Sequence, residues 1–303
     1  MLSPFGLFVY HLLNLGKFCI SQFPASAYRA LVTACESLLQ HEFVLIPAPL
    51  DWAKQHPGDL VIDDTSNPKY GMKSFCRKLY IPGTGAFLQG FKIVLFLWVC
   101  DTGRYPIGFG LWHKHSCSLT DIALDGLSQL RNRFKLKPRY VFADGAYATN
   151  VILKRLDDYG FAFVMRFKNN RKLDSVSIRQ KIPRGYGETT GFIENGTKLK
   201  VIRHEKHFVA SNRVSLERGT IQALYAIRWK IEEVFRCLKS ILGLDGCHQV
   251  SMRAQAVYLC LCLLLFSCLE SHSGHSPYKT AQAVISNELS PENLIRDKPV
   301  LPF

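Results

Sequence analysis

Apolar and polar residues alternate along the middle of the chain in blocks that are typical of strands and helices following one another. Short apolar runs, some of them closed by acids, predict five strands with the sequences "DLVIDDTS", "GFKIVLFLWVC", "YPIGFGLWHKH", "PRYVFADG" and "FAFVMRF". Helical spacing predicts a helix in "SLTDIALDGLSQLRNRF", with Ser118 or Thr120 as the candidate N-cap, and another in "NVILKRLDDYG", which Gly160 closes. This order of elements predicts an α/β domain.

Three segments differ from this middle part. Residues 1–55 show apolar residues at helical spacing and predict a helical N-terminal region, which leaves 56–303 as the α/β domain. Within that domain, residues 170–217 contain glycines, polar turns and short alternating pieces, and they predict a β insertion. The apolar run from Ala256 to Leu269 is shorter than the roughly 20 residues needed to span a bilayer, which favours a buried core helix.

The charge of the chain narrows the range of partners. Of its 303 residues, 48% are apolar and 20% are charged, which is typical of a folded globular protein. The formal net charge is +14, and this favours a polyanionic partner, of which nucleic acid is the commonest. Half of that charge falls between Arg166 and Lys206, where eleven Lys and Arg stand against four Asp and Glu. This segment is either a solvated β-hairpin surface or an arm that follows phosphates, and we favour the second.

Several other motifs indicate little chemistry. The ten cysteines show no CxxC pair, and several lie in apolar runs, which indicates a reduced, cytoplasmic setting. The first residues show no basic segment or cleavage site, so no signal peptide is expected. His113, His115 and Cys117 alternate in "WHKHSC", but zinc would need a fourth ligand, and we predict polar residues at a strand end. The segment "GTGAFLQG" at 83–90 lacks the Lys-Ser/Thr of a phosphate loop and is predicted to be an ordinary loop.

Three acids lie where a metal-dependent reaction would need them. Asp63, with Asp64 beside it, and Asp144 each end a predicted strand, and Glu232 lies on a predicted helix. Carboxylate oxygens from separate elements can converge on Mg²⁺, and two such ions support in-line phosphoryl displacement. Taken alone, each acid is better explained as a helix cap, a turn residue or a surface group.

The segment "YAIRWKIEEVFRCLK" at 225–239 predicts one amphipathic helix with a polar stripe. At about 100° per residue, Tyr225, Arg228, Glu232 and Lys239 fall within an arc of about 60°. One interpretation is a face that contacts only water. The other is a guanidinium and an ammonium that bind phosphates beside a metal-binding carboxylate. The periodicity alone does not decide between them.

The spacing within this segment resembles that of a known family. "YAIRWKIEEVFRCLK" fits Tyr-x2-Arg-x3-Glu-x6-Lys, the signature of DDE transposases of the insertion-sequence-4 family. In addition, "VIDDTSNPKYG" resembles the first-aspartate block of that family, and the segment beginning "YVFADGAYATN" resembles the second. The blocks occur in the family's order, and the resemblance covers roughly residues 58 to 270.

The resemblance implies a fold and a set of site residues. The fold would be a ribonuclease-H-like core, a mixed sheet with flanking helices. Asp63, Asp144 and Glu232 would be the catalytic residues and would bind two Mg²⁺ ions, with Mn²⁺ as a substitute. Asp64 competes with Asp63 for the first position, although the family's Asp-x-Thr spacing favours Asp63. Tyr225, Arg228 and Lys239 would contact DNA phosphates.

The resemblance also implies a reaction and partners. A cut-and-paste transposase cleaves the ends of an insertion sequence and transfers them into target DNA. It acts on double-stranded DNA carrying terminal inverted repeats, as a homodimer in the synaptic complex, in the bacterial cytoplasm at the nucleoid and without a membrane. The helical region 1–55 would assist DNA binding. In this family a flipped base commonly stacks on an aromatic residue of the insertion, which here would be Tyr186, Phe192 or Phe208.

Two alternatives remain at this stage. The first is an inactive DNA-binding relic of such an enzyme. The second is a Mg²⁺-dependent nuclease of the same fold that performs no strand transfer.

Overall fold

The computed structural model covers the whole chain of 303 residues. It describes residues 43–69, 74–80, 85–182, 187–247, 251–272, 276–286, 288–290 and 293. Most of the predicted N-terminal helical region, residues 1–42, lies outside the described residues.

Twelve strands are found in the part of the chain that the structure describes. In chain order they are β1 (Phe43–Leu45), β2 (Asp59–Pro68), β3 (Arg77–Tyr80), β4 (Phe87–Cys100), β5 (Gly103–Trp112), β6 (Val141–Ala143), β7 (Phe163–Phe167), β8 (Lys172–Leu173), β9 (Val176–Ser177), β10 (Glu188–Phe192), β11 (Lys198–His204) and β12 (His207–Ser211).

The helices lie between and after these strands. They are α1 (Pro47–Gln55), α2 (Leu119–Ser128), α3 (Asn150–Asp158), α4 (Ile178–Lys181), α5 (Arg218–Ala226), α6 (Trp229–Ser240), α7 (Met252–Ser271) and α8 (Pro277–Ile285). A π-helical segment, Gln129–Arg133, continues α2, and a 3-10 turn, Leu244–Gly246, follows α6. The prediction of Ser118 as N-cap is confirmed, because its hydroxyl and the Asp121 side chain form a reciprocal capping box.

One large mixed sheet organises the molecule. Its strand order is β1-β5-β4-β2-β6-β7-β12-β11-β10, and β3 pairs with β4. Strands β5, β4 and β2 are antiparallel, whereas β6 pairs in parallel with both β2 and β7. The predicted mixed α/β architecture is therefore confirmed. Strand β2, which contains Asp63, and β6, which Asp144 follows directly, lie side by side at its centre.

Helices cover both faces of this sheet, because alternate residues of the central strands point to opposite sides. Val61 and Phe142 pack in one core cluster with α5, α6 and α7. Leu60, Ile62 and Val141 pack in the other, with α2 and α3. Successive residues of β2 therefore meet two different helical layers.

Helix α7 is the centre of the first layer. It is long and apolar enough to cross a membrane by length and composition, but 83% of its most apolar window is buried inside the protein. Its residues pack against α6 and β5. The predicted burial of Ala256–Leu269 in the core is confirmed.

An arginine ties α6 and α7 to the sheet. Arg104, near the start of β5, binds both carboxylate oxygens of Glu270 on α7 at 2.7 and 2.8 Å. The same guanidinium contacts Glu233 on α6. Because a bidentate arginine–carboxylate pair has a fixed geometry, these bonds fix the positions of both helices relative to β5.

Three predictions need correction. Part of the predicted N-terminal helical region, Phe43–Leu45, is a strand, because its backbone hydrogen-bonds to β5 at the edge of the sheet. Part of the predicted loop at 83–90 is also a strand, since Phe87–Gly90 open β4 and pair with β3. The single helix predicted over 225–239 is two helices, α5 and α6, joined at Ile227–Arg228.

The predicted insertion at 170–217 contains strands, but they do not form a separate sheet. Strand β12 pairs with β7, and β11 and β10 extend the same sheet outward. Among the strands described in this segment, only the short β8–β9 hairpin lies apart. The basic segment is thus continuous with the strands that carry the candidate site.

Candidate active site

The two candidate aspartates occupy equivalent positions on neighbouring parallel strands. The last residue pair between β2 and β6 is Ile62 with Ala143, so Asp63 and Asp144 take the next positions. Neighbouring strands lie about 4.8 Å apart, and residues in one row project to the same face. The next strand continues the row, because Ala143 pairs with Met165 and Arg166 follows.

Arg228 bridges two of the three candidate acids. Its Nη1 lies 2.7 Å from Oδ2 of Asp63 and 3.2 Å from Oε1 of Glu232. The Nε of Arg228 is buried and has no hydrogen-bond partner among the described residues. Two carboxylates from β2 and α6 therefore converge on one cationic nitrogen.

The chain turn between α5 and α6 sets this arrangement. At this point the backbone bonds span three residues instead of four, as in Arg228 N–H to the carbonyl of Tyr225 and Ile231 N–H to that of Arg228. Such a 3-10 turn is tighter than an α-helix. Arg228 ends up on the sheet side, while Trp229 beside it is exposed.

Burial dominates the electrostatics of the site. Removal from water raises the pKa of Asp63 to about 7, and the neighbouring Arg228 offsets only part of this effect. Burial acts to lower the pKa of Arg228, but Asp63, Tyr225 and Glu232 outweigh it and the pKa is raised. The guanidinium is therefore charged at all ordinary pH values.

Asp64 lies on the opposite face of the sheet from Asp63. One of its oxygens accepts a hydrogen bond from the buried Tyr147 hydroxyl at 3.0 Å, and the other binds Lys92 Nζ at 2.8 Å. Its backbone N–H donates to Asp63 Oδ1 at 2.8 Å. Asp64 is thus held within the layer of α2 and α3, while Asp63 faces Glu232.

The other residues of the predicted stripe also face the protein. Tyr225 is almost fully buried; burial raises its pKa to about 12, and the charge of Asp144 adds to this rise. Lys239 donates to the backbone carbonyl of Ser66, just beyond Asp63 on β2, at 2.9 Å. The stripe therefore lies against β2 and the neighbourhood of Asp144 instead of facing bulk water.

Asp144 opens onto a basic groove. Its carboxylate is partly exposed and has a loose contact of 3.8 Å with Arg166. An open depression of about 600 Å³ begins there. We call it the basic groove and define it by Asp144, Arg166, Lys168, Asn170, Lys206 and His207.

Apart from Asp144, the residues of the basic groove were not predicted individually from the sequence. Arg166, Lys168 and Lys206 belong to the basic segment that the charge count identified. The alignment of "VFAD" with "FVMR" as neighbouring parallel strands was the signal that could have brought Arg166 next to Asp144. Four basic or titratable side chains beside one acid suit a phosphate backbone.

The aromatic residues proposed for base stacking differ in exposure. Phe208 is buried and cannot receive a base, so that prediction is wrong. Tyr186 lies outside the described residues. Phe192 is 50% exposed and lines a second depression that shares Asn170 with the basic groove. Of the two rings that the structure describes, only Phe192 is accessible.

The donor set can be tested against a divalent cation. In the described ranges, no group of three or more His, Cys, Asp or Glu side chains is close enough together to hold a metal ion. Asp63 and Glu232 nevertheless direct oxygens at one positive charge, and Asp144 occupies the neighbouring row position. All three are hard oxygen donors, which suit Mg²⁺ or Mn²⁺. The residues fit such an ion by chemistry, provided that Arg228 moves.

Comparison with known proteins identifies the class of protein that carries this site. Residues 55–268 match the transposase DDE domain family. Because this match covers more than half of the 303 residues, the chain belongs to that family. It is a transposase-type protein, and DDE transposases generally use divalent metal ions.

One solved structure supports the fold. A piggyBac transposase synaptic complex with hairpin DNA is similar, with a TM-score of 0.57 and 13% identity over 99% of this chain and 73% of that one. At this identity the similarity concerns the fold alone. Human endonuclease V gives a TM-score of 0.34 at 11% identity, over 74% of this chain and 100% of that one, which is a weak similarity. No curated protein matches the sequence.

Proposed function

We propose that this protein cleaves DNA at the ends of a transposable element and transfers those ends into target DNA, with Asp63, Asp144 and Glu232 as the catalytic acids. The observation that carries the proposal is the convergence of Asp63 and Glu232 on one cationic nitrogen. Asp144 takes the next position in the same row of the sheet. The family match supplies the reaction class.

Within the family, we assign the chain to the insertion-sequence-4 group. Arg228 and Lys239 bond to β2, Glu232 bonds to Arg228, and Tyr225 lies near Asp144 and Arg228, which connects the four signature positions. We take the five strands β5-β4-β2-β6-β7 as a ribonuclease-H-like core, because this mixed set carries both aspartates and has helices on both faces.

The three carboxylates would hold the divalent ions, Mg²⁺ or Mn²⁺. When bound, such ions activate a water or 3′-hydroxyl and stabilise the leaving oxygen of the phosphodiester. Asp63 and Glu232 become available to them only when Arg228 leaves. A DNA phosphate is a strong bidentate partner for a guanidinium, so incoming DNA would draw Arg228 away from both acids. Arg228 would thereby couple DNA binding to metal binding.

The surroundings of the acids would position the DNA. Arg166 and Lys168 in the basic groove would bind the phosphates on either side of the cut. Phe192, at the far side of Asn170, would receive an unpaired base by stacking. Synapsis of two element ends requires two active sites, so we propose a homodimer on DNA, acting in the bacterial cytoplasm at the nucleoid.

A plasmid that carries the gene with its flanking DNA tests the reaction. Purified protein with Mg²⁺ should release the element and join its 3′ ends to a second plasmid, and Mn²⁺ should substitute. Asp144→Ala and Glu232→Gln should abolish both products while leaving DNA binding intact. Arg139→Gln, in an ion pair with Asp59 outside the site, is the matched control and should retain activity.

The same assay separates two other functions. DNA binding without cleavage, under Mn²⁺ as well, would indicate the inactive relic. Cleavage without joined products would indicate a nuclease. Cleavage that survives loss of both Asp144 and Glu232 would refute the proposed site.

A further inference from the structure

A β-ribbon extends beyond the catalytic part of the sheet. Strands β3 and β4 pair antiparallel, with Tyr80 opposite Phe87 and Lys78 opposite Gln89. By strand alternation, these four side chains project from one face, and the Leu79 side chain is buried on the other. We call the outward face the aromatic ribbon and define it by Lys78, Tyr80, Phe87 and Gln89.

The aromatic ribbon exposes two large rings to solvent. Tyr80 is 53% exposed and Phe87 is 59% exposed, and their ring centroids lie 5.5 Å apart. The Nζ of Lys78 lies 5.6 Å from the centre of the Phe87 ring. Adjacent exposed aromatics on a sheet, with a cation beside them, are the arrangement on which unpaired nucleic-acid bases stack.

The charge of this region favours a polyanion over a second protein surface. From Thr65 to Cys100 the sequence contains five Lys or Arg and no Asp or Glu. Two of the five serve the interior, since Lys69 is buried and Lys92 binds Asp64. Lys78 is exposed on the ribbon itself. No acid within the segment opposes an approaching phosphate.

A neighbouring loop adds to the positive charge. Arg77 stacks on Trp112 and donates to the carbonyls of His113 and Lys114. These bonds hold the "HKHS" loop after β5 against the base of the ribbon. Lys114 is exposed there, so the motif predicted to be polar strand-end residues forms part of the same basic surface.

We infer that the aromatic ribbon is a second DNA contact, in which Tyr80 and Phe87 stack on bases of an unpaired or distorted strand and Lys78 and Lys114 bind its phosphates. This inference rests on the DNA-binding part of the proposed function. Asp63 pairs with Leu95, and Phe87 lies eight residues earlier, at the start of β4. At about 3.3 Å per residue, the ribbon lies roughly 26 Å from the acids along β4. DNA that runs parallel to β4 would cover this distance with about eight nucleotides.

Binding of a labelled single-stranded oligonucleotide and of its duplex, measured by fluorescence anisotropy, tests the inference. The double substitution Tyr80→Ala/Phe87→Ala should weaken single-strand binding by about tenfold or more. Lys78→Ala/Lys114→Ala should weaken binding and reduce the salt slope by about 0.7 per lysine. Tyr278→Ala, an equally exposed aromatic on α8, is the matched control and should bind as the wild type does.

Two further measurements keep the outcomes distinct. The variant Arg166→Ala/Lys168→Ala reports on the basic groove alone. If it loses affinity while the ribbon variants do not, the ribbon inference is wrong and the proposed function stands. If the wild type binds neither DNA, both are wrong. If Tyr80→Ala/Phe87→Ala binds DNA normally but loses self-association in sedimentation, the ribbon is a contact between two copies, which also overturns the inference.

Discussion

Asp63 and Asp64 are neighbours in the chain, but they meet opposite environments. Asp63 faces the start of α6, where Arg228 supplies a guanidinium on a long side chain and Glu232 a second carboxylate. Asp64, in contrast, is bound by Tyr147 and Lys92. In the first case two acids share one cation, and a positively charged ligand can replace it. In the second case one acid has two partners that satisfy both oxygens. The difference separates an acid suited to exchange its partner from one suited to hold strands together.

The largest expected effect on DNA cleavage comes from replacing each of the two carboxylates, one at a time, by an amide. Asp63→Asn should reduce DNA cleavage by about a thousandfold or more, equivalent to about 4 kcal/mol of barrier. Asp64→Asn should keep the cleavage rate within about tenfold of the wild-type rate, because Asp64 acts only through its neighbours. Gel assays of plasmid cleavage measure both. Equal losses in the two variants would remove the distinction between them.

Arg228→Gln should produce the next largest effect. Removing the guanidinium leaves Asp63 buried beside Glu232, which should cost about 2–4 kcal/mol of stability without metal. Added Mg²⁺ should restore part of this loss in thermal unfolding. Metal binding without DNA, measured by calorimetry, should tighten by about tenfold, because each 1.4 kcal/mol of lost competition is a factor of ten.

The control for this prediction is Arg139→Gln. It breaks the ion pair of Asp59 with Arg139 and should leave metal affinity unchanged. Weaker metal binding in Arg228→Gln would mean that Arg228 supports the metal site instead of competing with the ion.

Tyr147→Phe tests the structural role of Asp64. The change removes a hydrogen bond to a largely buried carboxylate and should lower the free energy of unfolding by about 1–2 kcal/mol. Cleavage at a temperature well below the transition should stay near the wild-type rate. Urea unfolding and the plasmid assay measure the two quantities separately. A rate loss comparable to that of Asp63→Asn would bring Asp64 into the reaction itself.

The smallest effect is expected for Lys92→Met. Lys92 is partly exposed, so its pair with Asp64 should contribute about 1 kcal/mol or less. The difference from wild type should shrink as salt is raised, because exposed charge pairs are screened. Urea unfolding at low and high salt measures it. A larger, salt-independent loss would show that Lys92 acts through packing.

The sequence was sufficient to predict the elements that carry the acids. Apolar runs predicted the strands at Asp63 and Asp144, and the helical period identified Glu232 with its neighbours. These signals depend on residues close together in the chain, so they can be recognised from the sequence alone. The predicted strand end at Asp63 is wrong, because β2 stays paired with β4 and continues to Pro68. Alternation also implies that Asp63 and Asp64 point to opposite faces, but it does not tell which face receives α6, since that depends on contacts between distant segments.

Other features of the site depended on non-local structure. The contact between Arg228 and Asp63 joins residues 165 positions apart. The 3-10 turn at Ile227–Arg228 contains no glycine or proline from which it could have been predicted. The ribbon at Phe87–Gly90 resembled a loop because glycines flank it, and pairing with β3 overrode that local preference.

The ion pairs of Arg104 with Glu233 and Glu270 have a practical consequence for the design of a shorter protein. The family match ends at residue 268, but Glu270, which accepts three hydrogen bonds from Arg104, lies two residues further on. A fragment trimmed to the match would leave that half-buried guanidinium with Glu233 alone and would loosen the helix that bears Glu232. A minimal catalytic fragment should therefore extend through the end of α7.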